Sequence, residues 1–184
     1  MKHSVRRRFI GTAVLVAAVL WAAGGAATPQ RIDVTVREVE PFSYVCMPVR
    51  GDYAAISDAM EELILNMQTQ SVFPRGPLIA VFYNVPEETT IDALEWEVGF
   101  PVTEQAFVQL PLVRKEWIFT TVAAGVHVGP LDGTGKTVAA MLDWIEDNGY
   151  VQNGPILQQY MEEGDPIRME STGFRAEIWI PCRK

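Results

Sequence analysis

The sequence predicts an α+β domain made of two tandem copies of one strand–helix–strand–strand unit. Three observations lead to this prediction. The stretch Gly154 to Pro181 resembles the stretch Gly76 to Pro101: both open with Gly-Pro, run through strand-forming residues to an aromatic one, and end with a Glu four residues before a Pro. The interval from Gly51 to Gly76 equals the interval from Gly129 to Gly154, so the copies are offset by 78 (129 − 51 = 78). That offset also superposes the apolar positions of two predicted helices. Such an internal repeat predicts two similar halves with a cleft between them.

The first copy, about residues 32–102, begins with strands. Residues 32–49 alternate in polarity, and Pro41 breaks them, so they predict one strand or a bent pair. A helix follows Gly51, because apolar side chains recur at helical spacing over residues 56–67. Two further strands are then predicted at residues 76–83 and 94–102.

The second copy, about residues 113–184, repeats this order. Residues 116–128 are strand-like, and Gly129-Pro130 turns the chain. A helix is predicted at residues 137–147, where Asn148-Gly149 ends it with a left-handed cap. The last strands are predicted at residues 154–161 and 174–182. We expect a curved antiparallel sheet with both helices on one face.

Alternation along the strands assigns their side chains to two faces of the sheet. We expect the more aliphatic face to pack on the helices. The other face mixes carboxylates, an amide and aromatic rings, and is the predicted ligand site. Six ligand-binding residues are predicted there: Phe82, Glu97, Gln158, Tyr160, Glu177 and Trp179. For Glu97 and Glu177, a role in the cleft and a role as ordinary exposed carboxylates are equal alternatives.

Residues 1–27 have the order of an export leader: a basic start, an apolar run and then small residues, with cleavage expected after Ala26 or Ala27. The run Arg6 to Ile10 resembles a twin-arginine motif, so both this route and general secretion stay open. We expect a periplasmic or secreted domain over residues 32–184. The alternative is an uncleaved inner-membrane anchor that holds the domain facing outward.

The charge of the mature chain disfavours nucleic acid as a partner. Without the four basic leader residues, 15 − 4 = 11 basic residues stand against 23 acidic ones, for a formal charge of −12. A chain of this charge repels phosphate backbones. We expect a monomer that contacts a membrane only if the leader is retained.

Two cysteines and one histidine remain after the leader. Cys46 and Cys182 are widely separated in the sequence, so a disulfide and two buried thiols are both open. His127 lacks the company of ligands that zinc requires, and its place before a Gly-Pro turn favours a structural role over haem ligation. We expect neither a cofactor nor a metal site.

Several short motifs occur in a fixed order and spacing: Val-His-Val-Gly-Pro at 126–130, Asp-Trp-Ile at 143–145, Asn-Gly-Tyr at 148–150, Gly-Pro at 154–155 with Tyr160, Asp-Pro at 165–166, and Glu-Ile-Trp-Ile-Pro at 177–181. With them, residues 32–184 resemble the GyrI-like small-molecule-binding domain, the effector-binding domain of AraC-type and multidrug-responsive regulators. The SOUL haem-binding proteins resemble it more distantly. The resemblance implies a duplicated unit around a hydrophobic, often acidic cleft. In this resemblance, Glu177 matches the Glu of the family's final strand. Gln158 stands at a position where many family members have a Glu that contacts cationic ligands.

The resemblance and the residues together predict an exported, stand-alone protein that binds a small molecule in the cleft between the repeats. The expected ligand is apolar or aromatic, and a cationic one is also open. The alternatives are a small-molecule hydrolase that uses Glu177 or Glu97 as general base, and a protein-interaction module. We expect a binding protein rather than an enzyme.

Overall fold

A computed structural model describes residues 32–86, 89–161 and 174–184. These residues form two α-helices, α1 (Ile56–Thr69) and α2 (Thr134–Asp147). They also form nine strands: β1 (Thr35–Glu38), β2 (Phe42–Arg50), β3 (Ile79–Phe82), β4 (Glu95–Pro101), β5 (Val113–Trp117), β6 (Thr121–Val128), β7 (Val151–Gln152), β8 (Ile156–Tyr160) and β9 (Arg175–Arg183). The predicted leader lies outside the described residues. Within them, no helix is both long enough and apolar enough to span a membrane.

The strands form one antiparallel sheet in the order β1-β6-β9-β8-β3-β4-β2-β5, and β7 pairs with the end of β9. The two halves meet at the centre, where β3 pairs with β8. Both helices pack on the same face, because their buried side chains belong to one core cluster. The predicted fold class, a tandem-repeat α+β domain with a curved antiparallel sheet, is confirmed.

The predicted offset of 78 is confirmed in the helices, which begin at Ile56 and Thr134 (134 − 56 = 78). Helix α2 starts at Thr134, three residues before the predicted Thr137. A 3₁₀ turn precedes it, as one precedes α1. The same offset relates β1 to β5 (113 − 35 = 78). The strand-like stretches 32–49 and 116–128 are each divided into two strands.

The edge strands are exchanged between the two copies. Strand β1 comes from the first copy but pairs with β6 of the second, and β5 comes from the second copy but pairs with β2 of the first. A strand left without a neighbour exposes unpaired backbone groups. Each copy therefore completes its sheet only with a strand that belongs to the other copy.

The helix-facing core is built from apolar residues of both copies at related positions. Leu63 and Met141 are fully buried, as the offset predicts, and Met67 and Ile145 are nearly so. The indole N–H of Trp96 donates to the carbonyl of Gly51 at 2.9 Å, which ties β4 to the turn before α1. This core fixes the sheet against both helices and leaves its other face for a second cluster.

The two cysteines lie on opposite faces of the sheet. Cys182 belongs to the helix-facing core, whereas Cys46 belongs to the cluster on the other face, and both thiols are buried and free. Of the two alternatives for this pair, the structure therefore has the buried thiols.

Both helices end in the same hydrogen-bond pattern. The amide of Tyr150 donates to Ile145, and the amide of Val72 donates to Met67, in the manner of a Schellman motif. The left-handed residue is Gly149 in α2, with φ of 73°, as predicted. In α1 the equivalent position holds Ser71, with φ of 55°.

We predict that Ser71→Gly stabilises the protein by about 0.5–1 kcal/mol, because a side chain costs about 1–2 kcal/mol in the left-handed region and glycine recovers most of that cost. The matched change Gly149→Ser should destabilise it by about 1 kcal/mol, since a Cβ at Gly149 would meet nothing within 4 Å and the effect is confined to the backbone. Urea unfolding of both variants measures these differences. Equal stability of Ser71→Gly and the wild type would contradict the prediction.

Candidate functional site

The face of the sheet opposite the helices carries a second buried cluster. Its members are contributed by both halves: Tyr44, Cys46, Ile79, Val81, Trp117, Val122, Ala124, Leu157 and Trp179. Strand alternation places them there, because residues directly paired across neighbouring strands project to the same side. We call this surface the cleft face.

Three predicted site residues lie on the cleft face. Glu97 pairs with Val81, and Trp179 pairs with Leu157, so both project with the second cluster. Glu177 lies two residues before Trp179 on the same strand and shares its side. The structure thus brings Glu97, Glu177 and Trp179 to one face of the sheet.

The other three predicted residues lie on the helix-facing side, and their assignment to the cleft face was wrong. Gln158 pairs with Ile178, which belongs to the helix-facing core, and Phe82 and Tyr160 are themselves members of that core. The sequence misleads here because polar residues occupy adjacent positions in β8, so their alternation cannot select a face. The amide that does face the cleft is Gln159, which pairs with Glu177.

Glu97 is the centre of a buried polar network. It is 1% exposed, and its Oε1 accepts hydrogen bonds from the hydroxyls of Tyr44 at 2.7 Å and Tyr83 at 2.9 Å. Its Oε2 accepts one from the Lys115 ammonium at 2.5 Å, which also donates to the Tyr83 hydroxyl at 3.1 Å. Both oxygens of this carboxylate are therefore engaged, and its charge is balanced by one cation.

The network moves several pKa values in the same direction. Burial, reinforced by the charge of Glu97, raises the pKa of the Tyr44 hydroxyl and of the Cys46 thiol. Burial also raises the pKa of Tyr83. Burial alone would lower the pKa of Lys115, but its hydrogen bonds to Glu97 and Tyr83 outweigh this and raise it. Each group therefore holds its proton more firmly in the folded protein.

Glu177 has a cation of its own. The Arg37 guanidinium lies 2.8 Å from Glu177 Oε1, and its carbon lies 5.3 Å from the centre of the Trp179 ring. This pair is more open than the Lys115–Glu97 pair: the side chains of Arg37 and Glu177 are 42% and 17% exposed, against 35% and 1%. Stacking on the indole orients the guanidinium toward the carboxylate.

The two ion pairs are related by the repeat. The offset of 78 relates Arg37 to Lys115 (115 − 37 = 78), and these cations lie on the exchanged strands β1 and β5. Each cation therefore reaches a carboxylate that belongs to the other copy. Sequence reasoning missed both cations, although the offset places them at equivalent positions.

Aromatic side chains form a cluster on the same face of the sheet. Phe42, Trp117 and Trp179 lie with ring centres 6.4–6.5 Å apart, and Phe119 packs edge-on against Trp117 at 5.1 Å. The indole N–H groups of Trp117 and Trp179 are buried and have no hydrogen-bond partner among the described residues. The cleft face thus carries packed aromatic rings and two indole donors that have no partner in the described part of the chain.

His127 has a structural role. Its Nε2 lies 3.0 Å from the carbonyl of Pro130, which can only accept, and its Nδ1 lies 2.7 Å from the hydroxyl of Thr137. Both ring nitrogens are engaged in fixing the turn before α2. In the part of the chain that the structure describes, no group of three or more His, Cys, Asp or Glu side chains is placed to hold a metal ion.

Comparison with known proteins identifies a family. The family model of the GyrI-like small molecule binding domain matches residues 32–183. No curated protein matches the chain in sequence.

Solved structures share the fold at low sequence identity. The C-terminal domain of EcmrR aligns with a TM-score of 0.72 and 14% identity, over 83% of this chain and 98% of that domain. EcmrR in a complex with DNA aligns with a TM-score of 0.71 and 15% identity over 83% of this chain, which spans 58% of the EcmrR chain. A hydrolase from Listeria innocua aligns with a TM-score of 0.59 and 15% identity, over 85% of this chain and 94% of that chain. SAV2435, solved bound to tetraphenylphosphonium, aligns with a TM-score of 0.54 and 10% identity, over 82% of this chain and 94% of that chain.

We predict that Lys115→Gln destabilises the protein by about 3 kcal/mol, because it leaves the buried Glu97 without a counter-ion. The repeat supplies the matched control: Arg37→Gln removes the equivalent cation from a more exposed pair and should cost at most about 1 kcal/mol. Urea unfolding at pH 7 compares the two variants. Equal losses would show that Glu97 does not depend on Lys115.

We predict that the free energy of unfolding falls as the pH rises from about 8.5 to 10.5. The unfolded Cys, Tyr and Lys side chains release protons near pH 8.5, 10 and 10.4, whereas the raised pKa values of Cys46, Tyr44, Tyr83 and Lys115 keep them protonated in the folded state. Stability is therefore fully present below about pH 8 and is lost above it, by at most about 1.4 kcal/mol per pH unit for each of the buried Tyr44 and Cys46 side chains. Tyr83 and Lys115 are more exposed and contribute less. Denaturant titrations at several pH values test this. Tyr44→Phe removes one such group and should make the fall shallower.

Proposed function

The chain belongs to the GyrI-like small-molecule-binding domain family, and from this membership we propose that it is an exported, stand-alone protein that holds a small apolar or aromatic molecule in the cleft between its two repeats. The aromatic cluster of the cleft face is the observation that carries this proposal. Phe42, Trp117 and Trp179 come from three different strands of both halves and present their rings to each other. A planar ligand would stack among rings of this kind, which is how apolar sites take aromatic molecules.

The proposed binding residues are Glu97, Glu177 and Trp179, joined by Gln159, Trp117 and the two cations. Gln159, Glu177 and Trp179 lie on β8 and β9, and Glu97 lies on β4 across the central pair of strands, so these four flank the line where the halves meet. Trp117 and the two cations lie on the edge strands β5 and β1. SAV2435, which shares the fold, was solved with tetraphenylphosphonium, a molecule with four aromatic rings. Such a ligand class agrees with an aromatic cleft.

Binding is proposed in preference to hydrolysis because of how the two carboxylates are engaged. A general base must be within reach of the substrate proton and free to accept it. Glu97 accepts three hydrogen bonds inside the fold, and Glu177 is paired with Arg37. A hydrolase shares the fold, so a pH-dependent hydrolytic rate that is abolished in both Glu177→Gln and Glu97→Gln would favour that alternative.

The proposed location is the periplasm or the outside of the cell. The basic, apolar and small-residue order of residues 1–27 supports export, and the charge of −12 after the leader (11 − 23 = −12) supports a partner other than nucleic acid. We propose a monomer.

Native mass spectrometry of the protein, purified from the compartment to which it is exported, tests this function. We expect an additional mass from a co-purified small molecule, lost on partial unfolding. In the freed protein, we expect an uncharged bicyclic aromatic probe such as quinoline to quench tryptophan fluorescence, because Trp117 and Trp179 lie in the proposed site. The matched control is Trp144, on helix α2, so Trp144→Phe should leave the quenching amplitude unchanged and Trp179→Phe should reduce it. Absence of any bound mass and of any quenching would contradict the proposal.

A further inference from the structure

The carboxylates of the cleft face are balanced by cations that the protein itself supplies. Glu97 is paired with Lys115, and Glu177 with Arg37, both through contacts of 2.8 Å or shorter. Arg50 also pairs with Glu95, at 3.1 Å. A cationic ligand would have to approach these ammonium and guanidinium groups, or displace one of them, before it met an unpaired negative charge.

Two indole donors of the cleft face, on Trp117 and Trp179, have no acceptor among the residues that the structure describes. Trp117 and Trp179 are more than nine-tenths buried, and each carries an indole N–H without a partner among the described residues. Both indoles belong to the same ring cluster, with centres 6.5 Å apart. A buried donor without an acceptor is costly, and a ligand acceptor that reaches it removes that cost. An uncharged molecule with an acceptor therefore gains a contact that a hydrocarbon of the same shape does not.

Resting on the small-molecule binding proposed above, we propose that the cleft selects an uncharged aromatic molecule that carries a hydrogen-bond acceptor. Trp117 and Trp179 provide the donors, and Lys115 and Arg37 are specificity-determining residues that disfavour cations. Discrimination of this kind combines an attractive contact with a repulsive one. Because the Arg37–Glu177 pair is the more exposed one, the larger share of the repulsion is assigned to Arg37.

Three probes of nearly equal size separate these effects: naphthalene, which has no acceptor; quinoline, which has one and is uncharged at about pH 8; and N-methylquinolinium, which carries a fixed positive charge. Equilibrium dialysis at this pH, read by ultraviolet absorbance, gives the three dissociation constants. We expect quinoline to bind about tenfold more tightly than naphthalene, and N-methylquinolinium to bind most weakly.

Variants assign the preference to residues. Trp179→Phe and Trp117→Phe keep an aromatic ring but lose the N–H, so the ratio of quinoline to naphthalene affinity should fall toward one in at least one of them. Arg37→Gln should raise the affinity for N-methylquinolinium relative to quinoline about tenfold. This variant is chosen because Arg37 belongs to the more exposed pair, whereas Lys115→Gln is expected to lose stability. A circular dichroism melt confirms that each variant is folded.

The outcomes separate this inference from the proposed function. Tighter binding of N-methylquinolinium than of naphthalene, which likewise has no acceptor, by the wild type would overturn the selection against cations and leave small-molecule binding in place. Equal affinities for quinoline and naphthalene, unchanged in both tryptophan variants, would overturn the role of the indole donors. If none of the three probes binds and native mass spectrometry finds no bound molecule, the proposed function fails as well.

Discussion

The structure depends on one requirement: the carboxylate of Glu97, 1% exposed in the middle of a sheet, needs a cation and donors around it. Lys115 supplies the cation, and Tyr44 and Tyr83 supply the donors. Lys115 lies on a strand that belongs to the second copy but borders the first. The exchange of edge strands is therefore more than a way to cover the sheet edges, since it brings charge from one copy to the carboxylate of the other.

Each copy has a carboxylate paired with a cation from the other copy, but the surroundings of the two pairs differ. At an offset of 78, Tyr44 corresponds to Val122 and Tyr83 to Met161, so the carboxylate of the second copy has no tyrosines at the equivalent positions. Glu177 is accordingly more exposed than Glu97, and its arginine rests on Trp179 instead. The first copy thus holds a closed polar network and the second an open ion pair beside aromatic rings. The second arrangement is the more accessible of the two, because its groups are nearer to solvent.

The fold was largely predictable from the sequence, whereas the site was predictable only in part. The repeated interval between glycines and the apolar spacing of the helices can both be recognised in the local sequence. The single offset of 78 relates both features in the two copies. The face of β8 was not predictable, since Gln158 and Gln159 are adjacent amides and only the pairing of Gln159 with Glu177 shows which one faces the cleft. The partners of the carboxylates were missed for a different reason. Each cation lies in one copy of the repeat and its carboxylate in the other, so no local motif joins them.

This separation in sequence bears on how the charge of the cleft is inferred from a family resemblance. The resemblance directs attention to a position where many members have Glu and this chain has Gln158, which suggests that a charge was lost. In the structure that position faces the helices, so it does not contribute to the charge of the cleft face as defined above. On that face, two ion pairs join carboxylates on central strands to cations on the exchanged edge strands. Two relatives with the same central strands but different residues at the positions of Arg37 and Lys115 would therefore differ in the charge of this face, although the motifs of their central strands would look alike.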